Sequence, residues 1–223
     1  QAYQSQVRFV SDASHEIRTP ISVIQGYANL LDRWGKHDEK TMQEAIDAIK
    51  SETENMKTLV EQLLFLARGD NETIHMEKVV FDSCKIVEEI VRETRLIDPA
   101  HTFETELQSP AYIEADQHLI KQALRILVDN SIKYTPPGER IQLKVEREKD
   151  VVKIQVQDNG IGIAPEDVAR VFDRFYRSDE SRARKTGGSG LGLAIAKWII
   201  DHHGGHYEVL SRVDIGTRIH LNL

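Results

Sequence analysis

Cysteine is almost missing from this chain: Cys84 is the single one among 223 residues. An internal disulfide is therefore excluded, and the usage suits a reducing compartment. No uncharged apolar run comes near the roughly 18 residues that a membrane-spanning helix needs, and no signal-peptide pattern is visible. The basic surplus that nucleic-acid phosphates demand is lacking too. The formal net charge is -7, which argues against a nucleic-acid partner. Repeats and low-complexity tracts are absent. Since the first residue is Gln1, the expectation is a piece of something longer, with any membrane attachment carried by a segment upstream. Apolar residues make up 40% of the chain, enough to bury one large core or two smaller ones.

Two periodicities divide the chain. Over residues 4–68 the pattern is helical. Val10, Ser14, Ile17, Ile21, Ile24, Ala28 and Leu31 form one heptad seam, and Ile46, Ile49, Thr53, Met56, Val60, Leu63 and Ala67 a second. Gly35 to Asp38 is a polar break between them. Thr41 and Glu44 read as a capping box opening the second helix, and Gly69 as its C′ residue. Packing onto the rest of the chain is one way to cover these seams. Sustained heptads favour the other, pairing of two hairpins into a homodimeric four-helix bundle. From about residue 75, β-type runs at 75–81, 102–107, 112–115, 141–146, 151–157, 207–211 and 217–223 alternate with helical stretches near 83–95, 117–134 and 190–203. Glu148 to Asp150 reads as a hairpin turn. This pattern predicts a mixed sheet covered on one face by helices. The expected division is 1–69 for the helical hairpin, 70–74 for a polar linker and 75–223 for the second domain.

The first helix carries an unusual polar cluster, Phe9-Val-Ser-Asp-Ala-Ser-His15-Glu-Ile-Arg-Thr-Pro20. His15 follows seam position Ser14, so its ring is expected in solvent. Glu16 is placed to take a proton from the imidazole and make the ring a better nucleophile. Thr19, four residues on, shares the face of His15 and offers a hydroxyl that orients a water. Pro20 gives the Glu16 carbonyl no N–H, so a kink is expected one turn after the histidine. The zinc-peptidase pattern H-E-x-x-H is not met, because Thr19 stands at its fifth position.

Four patches in the second half fit a bound nucleotide. Asp129-Asn130-Ser-Ile-Lys133-Tyr134 ends a helix; the Asn130 amide oxygen suits Mg²⁺, Lys133 supplies a charge for phosphates, and Tyr134 a flat surface beside a base. Asp158-Asn-Gly160-Ile-Gly162 follows a strand; the carboxylate suits the exocyclic amine of adenine, and two glycines let the backbone approach the ring. Gly187-Gly188-Ser-Gly190-Leu191-Gly192 opens a helix, whose N-terminal N–H groups form an anion site. Between these lie Phe172 to Arg177 and a charged lid, Ser178 to Thr186. Arg177 is the candidate for the terminal phosphate, and Gly216-Thr217 a further candidate phosphate contact.

His15-Glu-Ile-Arg-Thr-Pro20 resembles the H-box of the dimerisation and phosphotransfer domain of histidine kinases. The four patches, in this order, resemble the N, G1, F, G2 and G3 boxes of the ATP-binding domain shared by histidine kinases, gyrase, Hsp90 and MutL. The resemblance implies an α+β architecture: a helical hairpin forming a dimeric four-helix bundle, then an α/β sandwich of the Bergerat type. It implies a sensor histidine kinase of a two-component signal transduction system, with ATP and Mg²⁺ as cofactors. His15 is then the phosphorylated residue, and an aspartate on a response regulator the acceptor. Glu16 to Thr19 is similar to the E-x-x-T pattern linked to regulator dephosphorylation. The chain is then the cytoplasmic part of a membrane-anchored sensor. Gyrase-like and Hsp90-like ATPases have no reason to place such a histidine on a dimerising helix; a non-catalytic nucleotide-binding scaffold is the other alternative. Two positions depart from the family pattern: Ile126, where an Asn often precedes the Mg²⁺ ligand, and Ile215, where a second glycine often sits. His202, His203 and His206 are read as polar residues at a helix C-terminus, Cys84 as a small structural or surface residue, and Trp34 and Trp198 as packing residues.

Overall fold

The computed structural model describes residues 2–34, 38–149, 151–177 and 188–223. The expected lid 178–186, Gly187, residues 35–37 of the polar break and Asp150 of the hairpin turn lie outside the described residues, as does the side chain of Trp34. Two compact units divide at residue 71, Gln1–Asn71 and Glu72–Leu223.

The first unit is a hairpin of α1 (Ala2–Trp34) and α2 (Glu39–Asp70). Its most buried α2 residues, Ala45, Leu59 and Leu66, each lie one position before a seam residue, Ile46, Val60 and Ala67. One flank of the apolar stripe therefore meets the hairpin mate, while the other flank stays open. Val10, Ile21, Val60 and Leu64 are exposed by 59%, 39%, 43% and 50%, a large apolar surface for a helix pair in water. α1 continues through Pro20 without a break. Ser14 and Ser22 on either side donate their hydroxyls to the carbonyls of Val10 and Arg18 at 2.7 and 3.0 Å, bonds that loosen a helix locally.

Both expected ends of α2 need correction. Its N-cap is Asp38, whose carboxylate accepts from Lys40 N–H at 3.0 Å and from the Thr41 hydroxyl at 2.5 Å. A carboxylate at a helix N-terminus adds charge–dipole attraction to the cap bond, so it displaces the Thr41–Glu44 box and turns Thr41 into a donor. At the far end Gly69 is buried inside the helix, and Asn71 closes it, its side-chain amide donating to the Ala67 carbonyl at 2.8 Å.

The second unit runs β1 (Lys78–Asp82), α3 (Ser83–Ile97), β2 (Thr102–Leu107), β3 (Tyr112–Asp116), α4 (Gln117–Tyr134), β4 (Arg140–Glu148), β5 (Val151–Asp158), α5 (Pro165–Val168), α6 (Gly192–His202), β6 (His206–Arg212) and β7 (Gly216–Asn222). The expected single sheet is two. Five strands lie in the order β2-β4-β5-β7-β6, and β1 with β3 forms a separate antiparallel ribbon. β2 pairs parallel to β4, and the other pairs are antiparallel. Period-two alternation decides the faces. Ile141, Leu143 and Val145 of β4 are fully buried, whereas Gln142, Lys144 and Glu146, alternating with them, turn outward, Gln142 onto Glu106 at 2.9 Å and Lys144 onto Glu146 at 2.7 Å. The inner face meets Val87 and Ile90 of α3, Leu124, Leu127 and Val128 of α4, and Ile195 and Ile199 of α6, all but inaccessible to solvent. Each such side chain contributes about 1.5–3 kcal/mol of burial energy. Strand-ending aspartates start two of these helices: Asp82 caps α3, and Asp116 accepts from the N–H groups of His118 and Leu119 to cap α4.

Candidate functional site

The alternation that buries Val152, Ile154 and Val156 carries β5 inward to its last residue, Asp158, which is 9% exposed. Its Oδ1 accepts from the N–H groups of Gly160 and Thr217 at 2.9 and 3.1 Å, and its Oδ2 from the Ser131 hydroxyl at 3.0 Å. Burial pushes this carboxyl above the usual carboxylate range, although all three bonds pull the other way. A carboxylate offers about four lone-pair positions, so acceptor capacity remains for a donor such as an aryl amine.

The loop after Asp158 is held to the β6–β7 hairpin. Gly162 has φ +67°, and a side chain there would run into the Arg212 carbonyl, so this position takes glycine on both counts. Asp214 N–H donates to the Ile161 carbonyl at 2.9 Å, and Ile163 N–H to the Ser211 hydroxyl at 2.8 Å. Ser211 also reaches the Gly216 carbonyl at 3.0 Å and Thr217 Oγ1 at 2.8 Å. On the other side, Ile161 N–H donates to the Tyr134 carbonyl at 3.1 Å, and a Cβ on Gly160 would stand 2.5 Å from that same oxygen. The end of α4 therefore lies directly against the Asp158 loop.

On that last turn Asn130 and Lys133 are half-buried and Tyr134 is 36% exposed. Lys133 Nζ lies 5.1 Å from the Tyr134 ring centre and meets the side-chain position of Gly188, which brings the glycine run to α4. Ile126, one turn before Asn130, puts its Cγ2 3.2 Å from the side-chain position of Gly192, the first residue of α6. An apolar residue at 126 thus packs the start of α6. The Gly190 carbonyl accepts from Phe175 N–H at 3.0 Å, and Gly190, at φ +70°, has no room for a side chain beside the Phe175 backbone. Leu191, fully buried, is the N-cap of α6, and no side chain caps that end. First-turn N–H groups aimed forward from such an end are an anion site.

Phe172 packs on Tyr207 with ring centres 4.1 Å apart, and the Tyr176 hydroxyl donates to Asp167 at 2.5 Å. This anchors the segment leading to Arg177, which is half-buried. For a metal, the donor set around Asn130 fits Mg²⁺: a hard amide oxygen, with the other positions left to phosphates and water. Among the described residues no group of three or more His, Cys, Asp or Glu is placed to hold a metal.

The structure thus gathers Asn130, Lys133, Tyr134, Asp158, Gly160, Gly162, Gly188, Gly190, Leu191, Gly192 and Thr217 around one region of the second unit. His15, Glu16 and Thr19 stand on α1 of the first unit; His15 and Thr19 are exposed and Glu16 is half-buried. Thr217 spends its backbone N–H on Asp158 and so stands at the carboxylate end of the site. Sequence reasoning passed over Ser131 and Ser211. Ser131 follows Asn130 directly, and that adjacency was its one local signal.

Of the histidines set aside, His202 stacks on Trp198 with ring centres 3.8 Å apart. His203 ties the end of α6 to the start of α4, Nδ1 donating to the Ile199 carbonyl at 2.7 Å and Nε2 accepting from Asp116 N–H at 3.0 Å. Cys84 is 1% exposed; burial, with Asp82 nearby, pushes its thiol up to about 11, which makes it inert.

Two family models match the chain. Residues 5–72 match the His Kinase A (phospho-acceptor) domain, and residues 115–223 the histidine kinase-, DNA gyrase B-, and HSP90-like ATPase. The signal transduction histidine-protein kinase ArlS of Staphylococcus haemolyticus is 36% identical over 218 residues, covering 96% of this chain and 48% of that protein. The chain therefore spans about half the length of the curated relatives it matches. Among solved structures, the Acinetobacter baumannii histidine kinase AdeS is similar with a TM-score of 0.72 and 25% identity, covering 94% of this chain and 96% of that one. Histidine kinase ThkA, in complex with the response regulator protein TrrA, gives a TM-score of 0.78 and 25% identity over 97% of this chain and 60% of that one.

Proposed function

The chain belongs to the histidine kinase family, as phospho-acceptor helices joined to an ATP-binding domain, and we propose that it phosphorylates its own His15 from ATP and passes the phosphoryl group to an aspartate of a response regulator. The observation that carries this is the pairing of two parts in one chain: an exposed histidine beside Glu16 on a dimer-ready helix, and a second unit in which the end of α4 meets both the loop of a buried carboxylate, Asp158, and the glycine run before an uncapped helix start.

Asp158 accepts the exocyclic amine of adenine, while Gly160, Gly162 and Thr217 line the base and Tyr134 flanks it. The glycine run of Gly188, Gly190 and Gly192 brings backbone N–H groups to the phosphates. Leu191 anchors that turn through its buried side chain and its N–H bond to the Ser189 hydroxyl. Lys133 is a fixed charge, and Arg177 stands at the terminal phosphate. Asn130 would hold Mg²⁺, and the ion would offset phosphate charge. A ring nitrogen of His15 forms the N–P bond as the Pγ–O bond breaks, the electron pair leaving with ADP, and Glu16 takes up the proton of the other ring nitrogen. Two hairpins pair through the open flank of Val10, Ile21, Val60 and Leu64. A reducing, ATP-rich compartment, the cytoplasm, suits the buried unpaired Cys84. Among the described residues no helix is long and apolar enough to cross a membrane.

The test is transfer. Chain preloaded from labelled ATP is mixed with a receiver domain and with the same domain lacking its acceptor aspartate. Label moving to the first alone supports the proposal; label moving to neither, or equally to both, contradicts it. In the same assay Thr19→Ala is expected to spare His15 phosphorylation and slow loss of label from the regulator. Equal loss of both would remove the role given to Thr19.

A further inference from the structure

Between α3 and β2 lies a buried ion pair that touches none of the residues assigned to ATP. Asp98, the C-cap of α3, accepts from Ala100 N–H at 2.9 Å through Oδ1, and its Oδ2 faces His101 Nδ1 at 2.7 Å. The other ring nitrogen, Nε2, faces the backbone carbonyl of Thr135 at 3.0 Å. The two side chains are 6% and 12% exposed. A carbonyl and a carboxylate both only accept. Both ring nitrogens must therefore donate, and an imidazole does that only as its doubly protonated cation.

Thr135 is the C-cap of α4, next after Lys133 and Tyr134, where a cation is favoured by the helix dipole. Its hydroxyl is buried against Gly160, and the preceding carbonyl, of Tyr134, receives Ile161 N–H. Two backbone bonds join the same loops, Gly138 N–H to the Ala100 carbonyl at 2.7 Å and Thr102 N–H to the Glu139 carbonyl at 3.1 Å.

We propose that His101 is a positioning residue for nucleotide binding: as an imidazolium clamped by Asp98 it fixes the Thr135 carbonyl, and with it the stance of Lys133 and Tyr134, so that nucleotide affinity falls when His101 loses its proton. This rests on reading the second unit as the ATP site. Burial pushes the ring toward neutrality, but the Thr135 carbonyl and the Asp98 carboxylate outweigh it and hold the proton above the usual histidine range. A raised folded-state value means that the clamp is complete below the unfolded value of 6.5 and is lost as pH rises through the folded one. Asp98 is the charged group on the ring among the described residues. The facing loop turns the Thr135 carbonyl toward it, and Glu139 joins through its backbone.

The test is binding of a non-hydrolysable ATP analogue to the full chain between about pH 6 and about pH 9, with the His101 ring followed by nitrogen NMR. The native chain should lose affinity by up to about tenfold per pH unit above the folded value, because affinity scales with the competent fraction. Asp98→Asn should move the midpoint to lower pH. His101→Arg, which keeps permanent donors, should bind with a flat profile over the same range. Identical profiles for the native chain and His101→Arg, or a His101 ring already neutral near pH 6, would overturn the proposal. Absence of analogue binding by the native chain at every pH, with the ring titrating as described, would sink the nucleotide reading itself, and the clamp's role with it.

Discussion

Asp158 holds three hydrogen bonds from Ser131, Gly160 and Thr217 before any ligand arrives, so its orientation is set in advance and one acceptor position is left for specificity. Asp158→Asn keeps the size but gives Ser131 a donor in place of an acceptor. A buried hydrogen bond to a charged group is worth about 1.5–3 kcal/mol, so ATP affinity should fall by about 10-fold to 100-fold in equilibrium binding, with discrimination against GTP reduced. Unchanged affinity and selectivity would remove Asp158 from the base site. The direction of its ionisation adds a pH prediction. Because burial raises the Asp158 carboxyl, acidification protonates it earlier than an ordinary carboxylate, and affinity for adenine nucleotides should drop on that acid limb. In Asp158→Asn the acid limb should vanish from the binding profile.

At the scale of elements, the ends of α2 make the cleanest prediction. Asp38 alone supplies the cap oxygen for Lys40 N–H and for the Thr41 hydroxyl, so Asp38→Ala should lower the unfolding midpoint of the hairpin. Thr41→Ala should lower it less. The opposite order would restore the Thr41–Glu44 box as the true cap. The sequence misled here because Thr-x-x-Glu and Gly are good local signals, while a stronger group lay three residues before the first and two after the second. Strand 102–107 and helix 117–134 were readable to the residue, since their alternation and apolar stripe are local. β1 begins three residues later than its pattern because pairing stops where β3 turns into α4, Lys78 facing Asp116. That limit is set by a partner about 40 residues away, as is the split into two sheets. The glycine motifs of the site were legible for the same reason that strand 102–107 was. Ser131, Ser211 and His101 were not, because what marks each of them is a partner distant in sequence, Asp158, Ile163 and Thr135 in turn.

For the whole molecule, the exposed flank of α1 and α2 is the feature that a single copy leaves unexplained. Burying Val10, Ile21, Val60 and Leu64 against a second hairpin follows from the hydrophobic effect. Sedimentation should give about twice the chain mass of 25.4 kDa. Replacing both Val60 and Leu64 by Asp should return the mass to one chain while the Glu72–Leu223 unit still binds nucleotide. A native chain that sediments as one copy at micromolar concentration would contradict the paired hairpin.

The central claim joins the two units, a histidine in one and a nucleotide site in the other, into one reaction. Incubation with γ-labelled ATP and Mg²⁺, with the native chain beside His15→Ala and Asp158→Asn, tests it most directly. The account predicts label on the native chain that is lost in acid and stable in alkali, none on His15→Ala, and slowed labelling of Asp158→Asn at limiting ATP. Label that persists in His15→Ala, or a native chain that binds ATP yet takes up no phosphate, would contradict it and leave a nucleotide-binding scaffold in its place.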